Sequence, residues 1–163
     1  VDTTPPALSG LPAGLTADAT GPDGAAVSYA APTATDLVDG SVPVDCSPAS
    51  GSTFAIGDTT VTCTATDAHG NAASAAFSVH VRGAGEQLAD LLAYVTGIGP
   101  GKSLAAKVLA AQRALARGDA ATAVSDLDAL DAETSAQDGK KLTGAQAAAI
   151  EAAVARIGAV LGF

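Results

Sequence analysis

The sequence predicts two domains, an all-β sandwich followed by a small all-α helical bundle, and two observations predict it. The first is alternation of period two. Val61, Cys63 and Ala65 alternate with threonines. After turn residues at Asp67 and Gly70-Asn71, Phe77, Val79 and Val81 alternate with Ser78 and His80. Such a period puts each set on one face of a sheet. The second is an abrupt change near Arg82-Gly83-Ala84-Gly85. Seven of the eight prolines and most threonines precede it, and long Ala/Leu-rich stretches follow it. The predicted domains are residues 1–82 and 83–163. The linker is short, so the domains are expected to be tilted against each other rather than to tumble freely.

In the first domain, Asp2-Thr-Thr-Pro-Pro6 reads as extended and unable to pair fully, because proline lacks the N–H. Leu15–Thr20, Ala26–Ala30, Ser41–Cys46, Thr59–Thr66 and Ala75–Arg82 are the predicted strands. Gly21-Pro-Asp-Gly24, Asp39-Gly40, Ser50-Gly51, Gly57-Asp58 and Gly70-Asn71 punctuate them. Short strands at this spacing favour a sandwich.

The second domain reads as four amphipathic helices. Glu86–Thr96 carries Leu88, Leu91, Leu92 and Val95. Ser103–Arg117 carries Leu104, Val108, Ala111 and Leu115. Asp119–Gln137 carries Ala123, Val124, Leu127 and Leu130. Thr143–Leu161 carries Ala147, Ile150, Val154, Ile157 and Leu161. Gly118 can end one helix and Asp119 can cap the next, Gly139 can do the same before Thr143, and Thr143-Gly-Ala-Gln146 is a capping box. Loops this short make neighbouring helices antiparallel.

The net charge is −9, unevenly spread. Residues 1–82 hold eight Asp, no Glu and only Arg82, whereas residues 83–163 hold nine acids and seven bases. Such a field repels phosphate backbones and anionic membranes, which argues against nucleic-acid binding and membrane association. No apolar run is expected to reach spanning length, and no basic-then-apolar leader opens the sequence. An exported protein would therefore have lost its signal, or the sequence would be an internal fragment.

Cys46 and Cys63 are the two cysteines. An isolated pair can be a disulfide, part of a metal site or two buried thiols. The absence of Cys-x-x-Cys, and of histidines at ligand spacing, disfavours metal. Both cysteines fall on predicted inward strand faces, which favours the disulfide. A loop this short contributes roughly 3 kcal/mol in the chain-entropy model. An oxidising compartment outside the cytosol follows.

Six segments carry a family resemblance: Asp2-Thr-Thr-Pro-Pro6, Pro32-Thr-Ala-Thr-Asp36, Val44-Asp-Cys-Ser-Pro48, Gly51-Ser-Thr-Phe54, Gly57-Asp-Thr-Thr-Val61 and Thr66-Asp-Ala-His-Gly-Asn71. Together they resemble a hyalin repeat (HYR) domain, which implies an immunoglobulin-like sandwich linked with extracellular adhesion and recognition. Many such domains carry another cysteine near the position of Ser74. Its absence here leaves the Cys46–Cys63 pairing. The opening Asp-Thr-Thr-Pro-Pro resembles a junction between consecutive repeats, which implies tandem domains upstream. Further on, Ser103-Leu-Ala-Ala-Lys107, Ala114-Leu-Ala-Arg-Gly-Asp119 and Gly139-Lys-Lys-Leu-Thr-Gly-Ala-Gln-Ala147 are similar to the FIMAH-type helical module of secreted bacterial enzymes and surface proteins. Leu130-Asp131 stands where that family has an aromatic-aliphatic pair.

Few constellations suggest chemistry. Thr96-Gly-Ile-Gly-Pro-Gly-Lys-Ser103 fails as a phosphate loop, since Thr96 stands where glycine is required and the segment follows a helix. Asp36, Asp39, Asp45 and Asp67 offer oxygen ligands for calcium. Yet Asp39-Gly40 and Asp67 with Gly70-Asn71 also suit plain turn chemistry, so no metal or other cofactor is expected. No serine sits in a Gly-x-Ser-x-Gly elbow, His80 alternates outward, and Asp126, Asp128 and Asp131 read as a solvated helix face. Lys140-Lys141 reads as a solvated loop. A non-enzymatic extracellular module is expected, acting through a protein partner or self-association. The alternative is a structural subunit of a fibre built by head-to-tail contacts. Val1, Pro5, Pro6 and Phe163 are the interface candidates: an extended arm that could join by strand addition, and a terminal aromatic that either folds back on its own helices or docks elsewhere.

Overall fold

A computed structural model of the chain describes residues 2–99 and 101–163, so the interface candidate Val1 lies outside the described residues. Among the described residues nine strands come first: β1 (Ala7–Ser9), β2 (Leu15–Asp18), β3 (Ala25–Ala26), β4 (Thr33–Asp36), β5 (Gly40–Val42), β6 (Val44–Ser47), β7 (Thr53–Phe54), β8 (Gly57–Thr66) and β9 (Ala72–Arg82). Four helices follow: α1 (Ala84–Thr96), α2 (Gly101–Ala116), α3 (Ala120–Gln137) and α4 (Gly144–Leu161). The chain folds as two compact units. One holds residues 1–17 and 25–81, and the other holds 18–24 and 82–163.

In the strand-rich unit, the sheets run β1-β4-β5, β2-β9-β8-β6 and β3-β7. The β8–β9 hairpin is its longest pairing, from Gly57↔Val81 to Thr66↔Ala72, all antiparallel. Val61, Cys63, Ala65, Phe77, Val79 and Val81 are buried, as alternation requires. Leu8, Ala34 and Val42 of the three-stranded sheet pack with Ala65 and Val44 of the four-stranded sheet in one apolar cluster. Tyr29 packs edge-to-face on Phe77 at 5.0 Å and donates its hydroxyl to the Pro48 carbonyl at 2.5 Å. The predicted run Ser41–Cys46 is two strands in two sheets, β5 and β6, broken at Pro43. Proline cannot donate to a ladder, so the chain changes sheets there.

The helices α3 and α4 begin where their caps dictate. The Asp119 side chain accepts from the Thr122 N–H, and Thr143 with Gln146 closes the capping box on α4. Gly118 and Gly139 are left-handed, at φ 76° and 67°. Gly99 is tightly constrained. Its φ is +37°, and a Cβ there would lie 2.7 Å from the Lys141 carbonyl oxygen. Each helix packs on the next, and α4 returns to α1. Their shared interior is Leu88, Leu91, Val95, Leu104, Val108, Ala111, Ala123, Leu127, Leu130, Ala147, Ile150, Val154 and Ile157. Leu92, Leu115, Val124 and Leu161 are only partly buried, whereas Ala114 and Val160 are buried in the same helices. One expectation needs correction: α4 is long and apolar enough to cross a membrane by length and composition. Its Ile150, Val154, Ile157 and Val160 stripe is nonetheless buried against the other helices.

A polar network is buried in the helical unit. Gln87 lies within the buried face of α1, 2% exposed. Its Nε2 donates to the carbonyls of Ala19 and Arg82, both at 3.1 Å, and its Oε1 accepts from Arg156 Nε at 2.8 Å. Arg82 bonds Asp18 at 2.5 Å and also pairs with Asp90. These bonds hold residues 18–24 within the helical unit.

Candidate functional site

Three segments far apart in sequence meet at one acidic cluster. The β1–β4 pairing, Ala7↔Thr35, fixes the arm that carries Asp2 beside the hairpin that carries Asp36 and Asp39. The β8–β9 turn supplies Asp67 and His69. One carboxylate oxygen from each of Asp2, Asp36, Asp39 and Asp67 lies within 4.8 Å of all the others. Asp2, Asp39 and His69 form a second, overlapping group. Asp45, considered with them from the sequence, sits on β6 opposite Thr64 and is not part of either group.

Local turn chemistry positions each side chain. Asp36 ends β4, and Gly40, left-handed at φ 73°, starts β5 opposite it. A three-residue loop, Leu37 to Asp39, connects them, and glycine at this position is the usual device for such a hairpin. Asp36 Oδ1 accepts from the N–H groups of Val38 and Asp39, at 2.7 and 3.0 Å. Asp67 Oδ1 accepts from His69 N and Asn71 N, both at 2.8 Å, and its Oδ2 accepts from Asn71 Nδ2 at 2.8 Å. Two bonds then tie the turns together. Asp39 Oδ2 accepts from Ala68 N at 3.2 Å and meets His69 Nδ1 at 3.2 Å. Asn71 Nδ2 also reaches the Asp2 carbonyl at 3.3 Å, and Asp2 Oδ1 accepts from Thr4 N at 3.0 Å.

These bonds shift the titration of Asp36, Asp67 and His69. The N–H groups of Asp39 and Val38 hold the Asp36 carboxyl below the ordinary carboxylate range. Desolvation pushes Asp67 up, but the bonds from Asn71 and His69 outweigh it and leave that carboxyl lowered as well. The hydrogen bond to Asp39 raises His69, against some desolvation and with help from the Asp39, Asp2 and Asp67 charges. Two oxygens are left over: Asp2 Oδ2 and Asp36 Oδ2 are buried and have no hydrogen-bond partner among the described residues. Buried polar atoms are nearly always paired, so these two oxygens are open to an ordered water or a ligand. The donors are all hard oxygens, the kind that suits Ca²⁺.

The other predicted site residues are dispersed. Cys46 and Cys63 are joined in a disulfide between directly opposed residues of β6 and β8. Cys63 is fully buried, whereas Cys46, on the outer strand of its sheet, is only partly so. Pro5 is exposed, but Pro6 is buried where the chain enters β1, which removes it from any free surface. Phe163 is 68% exposed and does not fold back into the helical interior. His80 pairs with Asp58, its neighbour across the sheet, at 2.8 Å. Lys140 and Lys141 are exposed. Two apolar side chains missed in the sequence stand out at the tip of the β4–β5 hairpin. Leu37 is 92% exposed and Val38 is 64% exposed, and both lie between the cluster residues Asp36 and Asp39.

No curated protein matches the chain. The model of the HYR domain family matches residues 1–81, which include the acidic cluster, both cysteines and the Leu37-Val38 tip. The strand-rich part of the chain is thus similar to the HYR domain, an immunoglobulin-like extracellular module of the adhesion type.

Proposed function

We propose that the chain is a non-catalytic interaction and spacer module of a secreted or surface-displayed bacterial protein. In this reading a disulfide-stabilised β domain, residues 1–82, is followed by a FIMAH-type helical domain, residues 83–163. Tandem domains upstream belong to the same proposal. The observation that carries it is the Leu37-Val38 tip on a unit similar to an extracellular adhesion module. Two adjacent exposed aliphatic side chains on a turn stapled by Asp36 are pre-ordered for contact. Covering them would stabilise a complex by about 1.5–3 kcal/mol each, and the turn has little entropy left to lose.

The test places a photo-crosslinking residue at Val38 in the natively secreted protein. An equivalent residue at Ala76, on the exposed face of β9, is the control. A discrete protein adduct from Val38 and none from Ala76 supports the reading. Equal or absent adducts refute it. A second reading, a fibre subunit joined head to tail, is favoured by the exposed Phe163. Electron microscopy of the native secreted material separates the two, because fibres would have to be present.

A further inference from the structure

We propose that the cluster of Asp2, Asp36, Asp39 and Asp67 binds one Ca²⁺ ion and so clamps the N-terminal arm to the β4–β5 and β8–β9 turns. The inference stands apart from the partner of the Leu37-Val38 tip. Its first support is geometric. Oxygens on opposite sides of a Ca²⁺ ion with bonds of about 2.4 Å lie about 4.8 Å apart. All four carboxylates offer an oxygen within that span of one another.

The second support is independent of the clustering. Asp2 and Asp36 each commit Oδ1 to backbone N–H groups, that of Thr4 for Asp2 and those of Val38 and Asp39 for Asp36. In each, the remaining Oδ2 is closed off from solvent and lacks a hydrogen-bond partner among the described residues. The turns at Asp2 and Asp36 use one oxygen of each and give no reason to bury the other. A cation satisfies both orphans at once and offsets the repulsion among four acids. His69, the basic side chain beside the cluster, is already engaged by Asp39. Asp2 makes the site informative, since it joins residues more than thirty positions away through a single ion.

The test uses the full chain after dialysis against chelator, with CaCl₂ as titrant in calorimetry and thermal unfolding. One ion per chain should bind, with a dissociation constant of about 10⁻⁴–10⁻³ M, the range of extracellular modules, and with a saturable rise in Tm. Mg²⁺ should bind more weakly. Asp2→Asn should weaken Ca²⁺ binding at least about tenfold. In chelator its Tm should equal or exceed that of the unsubstituted protein, because one of four like charges is gone. Asp36→Asn should act likewise on binding; should it fail to fold, Asp2→Asn decides, since Asp2 precedes β1. Asp128→Asn, on α3, should change nothing. The proposal is overturned by no saturable Ca²⁺ response up to about 10 mM, by an Asp2→Asn variant that binds as the parent does, or by a response to Zn²⁺ alone that His69→Ala abolishes.

Discussion

Replacing Gln87 with alanine tests whether the buried network in α1 holds the helical unit together. The substitution removes two hydrogen bonds to carbonyls and one to a guanidinium. Neutral bonds contribute about 1 kcal/mol each, and the charged one about 1.5–3 kcal/mol before solvent is considered. The Arg82 carbonyl keeps a second donor, the N–H of Ala19. Arg156 is 42% exposed and retains Asp18 at 3.5 Å, so most of its loss is recovered in water. The Ala19 carbonyl is the group left most exposed to loss, at about 1–3 kcal/mol for an unpaired buried acceptor. The sum is about 3 kcal/mol, which in a unit of this size lowers Tm by roughly 12–20 °C. Calorimetric unfolding of the full chain reads the shift in the helical transition. Gln87→Leu is the decisive companion, because it fills nearly the same volume without polar atoms. If Gln87→Leu is as stable as the parent, packing rather than hydrogen bonding explains the site and the reasoning fails.

Reduction of Cys46–Cys63 should destabilise the strand-rich unit by about 3 kcal/mol, from its sequence separation of 17. A melting shift under about 3 °C in reductant would contradict that. Thiol labelling of the unfolded, unreduced protein should find no reactive cysteine. Gly99→Ala should cost about 2–4 kcal/mol, since its Cβ would strike the Lys141 carbonyl as well as hold a left-handed φ. Gly118→Ala, left-handed but in open space, should cost only about 1 kcal/mol; equal costs would remove the clash from the account. Glu133 titrates low because of its bond from Lys107, then that from Ser103, against desolvation. Its folded pKa lies below its unfolded value. Its contribution is therefore complete above the ordinary carboxylate pKa of about 4.3 and is lost as pH falls through the lower folded value. Glu133→Gln should flatten the fall in Tm as pH drops below about 5, and an unchanged profile would count against the bond.

Much of the local structure was legible because short-range physics decides it. Alternation from Val61 to Ala65 and from Phe77 to Val81 marks β8 and β9, whose registers need only a hairpin turn. Gly118-Asp119 and Thr143 to Gln146 mark helix ends through bonds formed within one turn. The strands β1, β4 and β7 carry no such local signal. They are two to four residues long, and nothing in Ala7–Ser9 or Thr53-Phe54 identifies them apart from the partner each pairs with. Pro43 could have revealed the break between β5 and β6. Gln87, four residues before Leu91 and eight before Val95, is a polar residue at a stripe position and could have been read as a buried network.

By itself the sequence determined the change from strands to helices near residue 82, the helix caps and the long hairpin, because each rests on contacts within a few residues. Only the tertiary structure decided the acidic cluster. Asp36, Asp39 and Asp67 look like turn residues, and Asp36 and Asp67 are held as such by nearby backbone N–H groups. Asp2 joins them through a strand pairing that local propensity does not encode. The two orphaned oxygens appear only when that pairing closes the site, because burial and the loss of water as a partner are properties of the folded chain rather than of any segment.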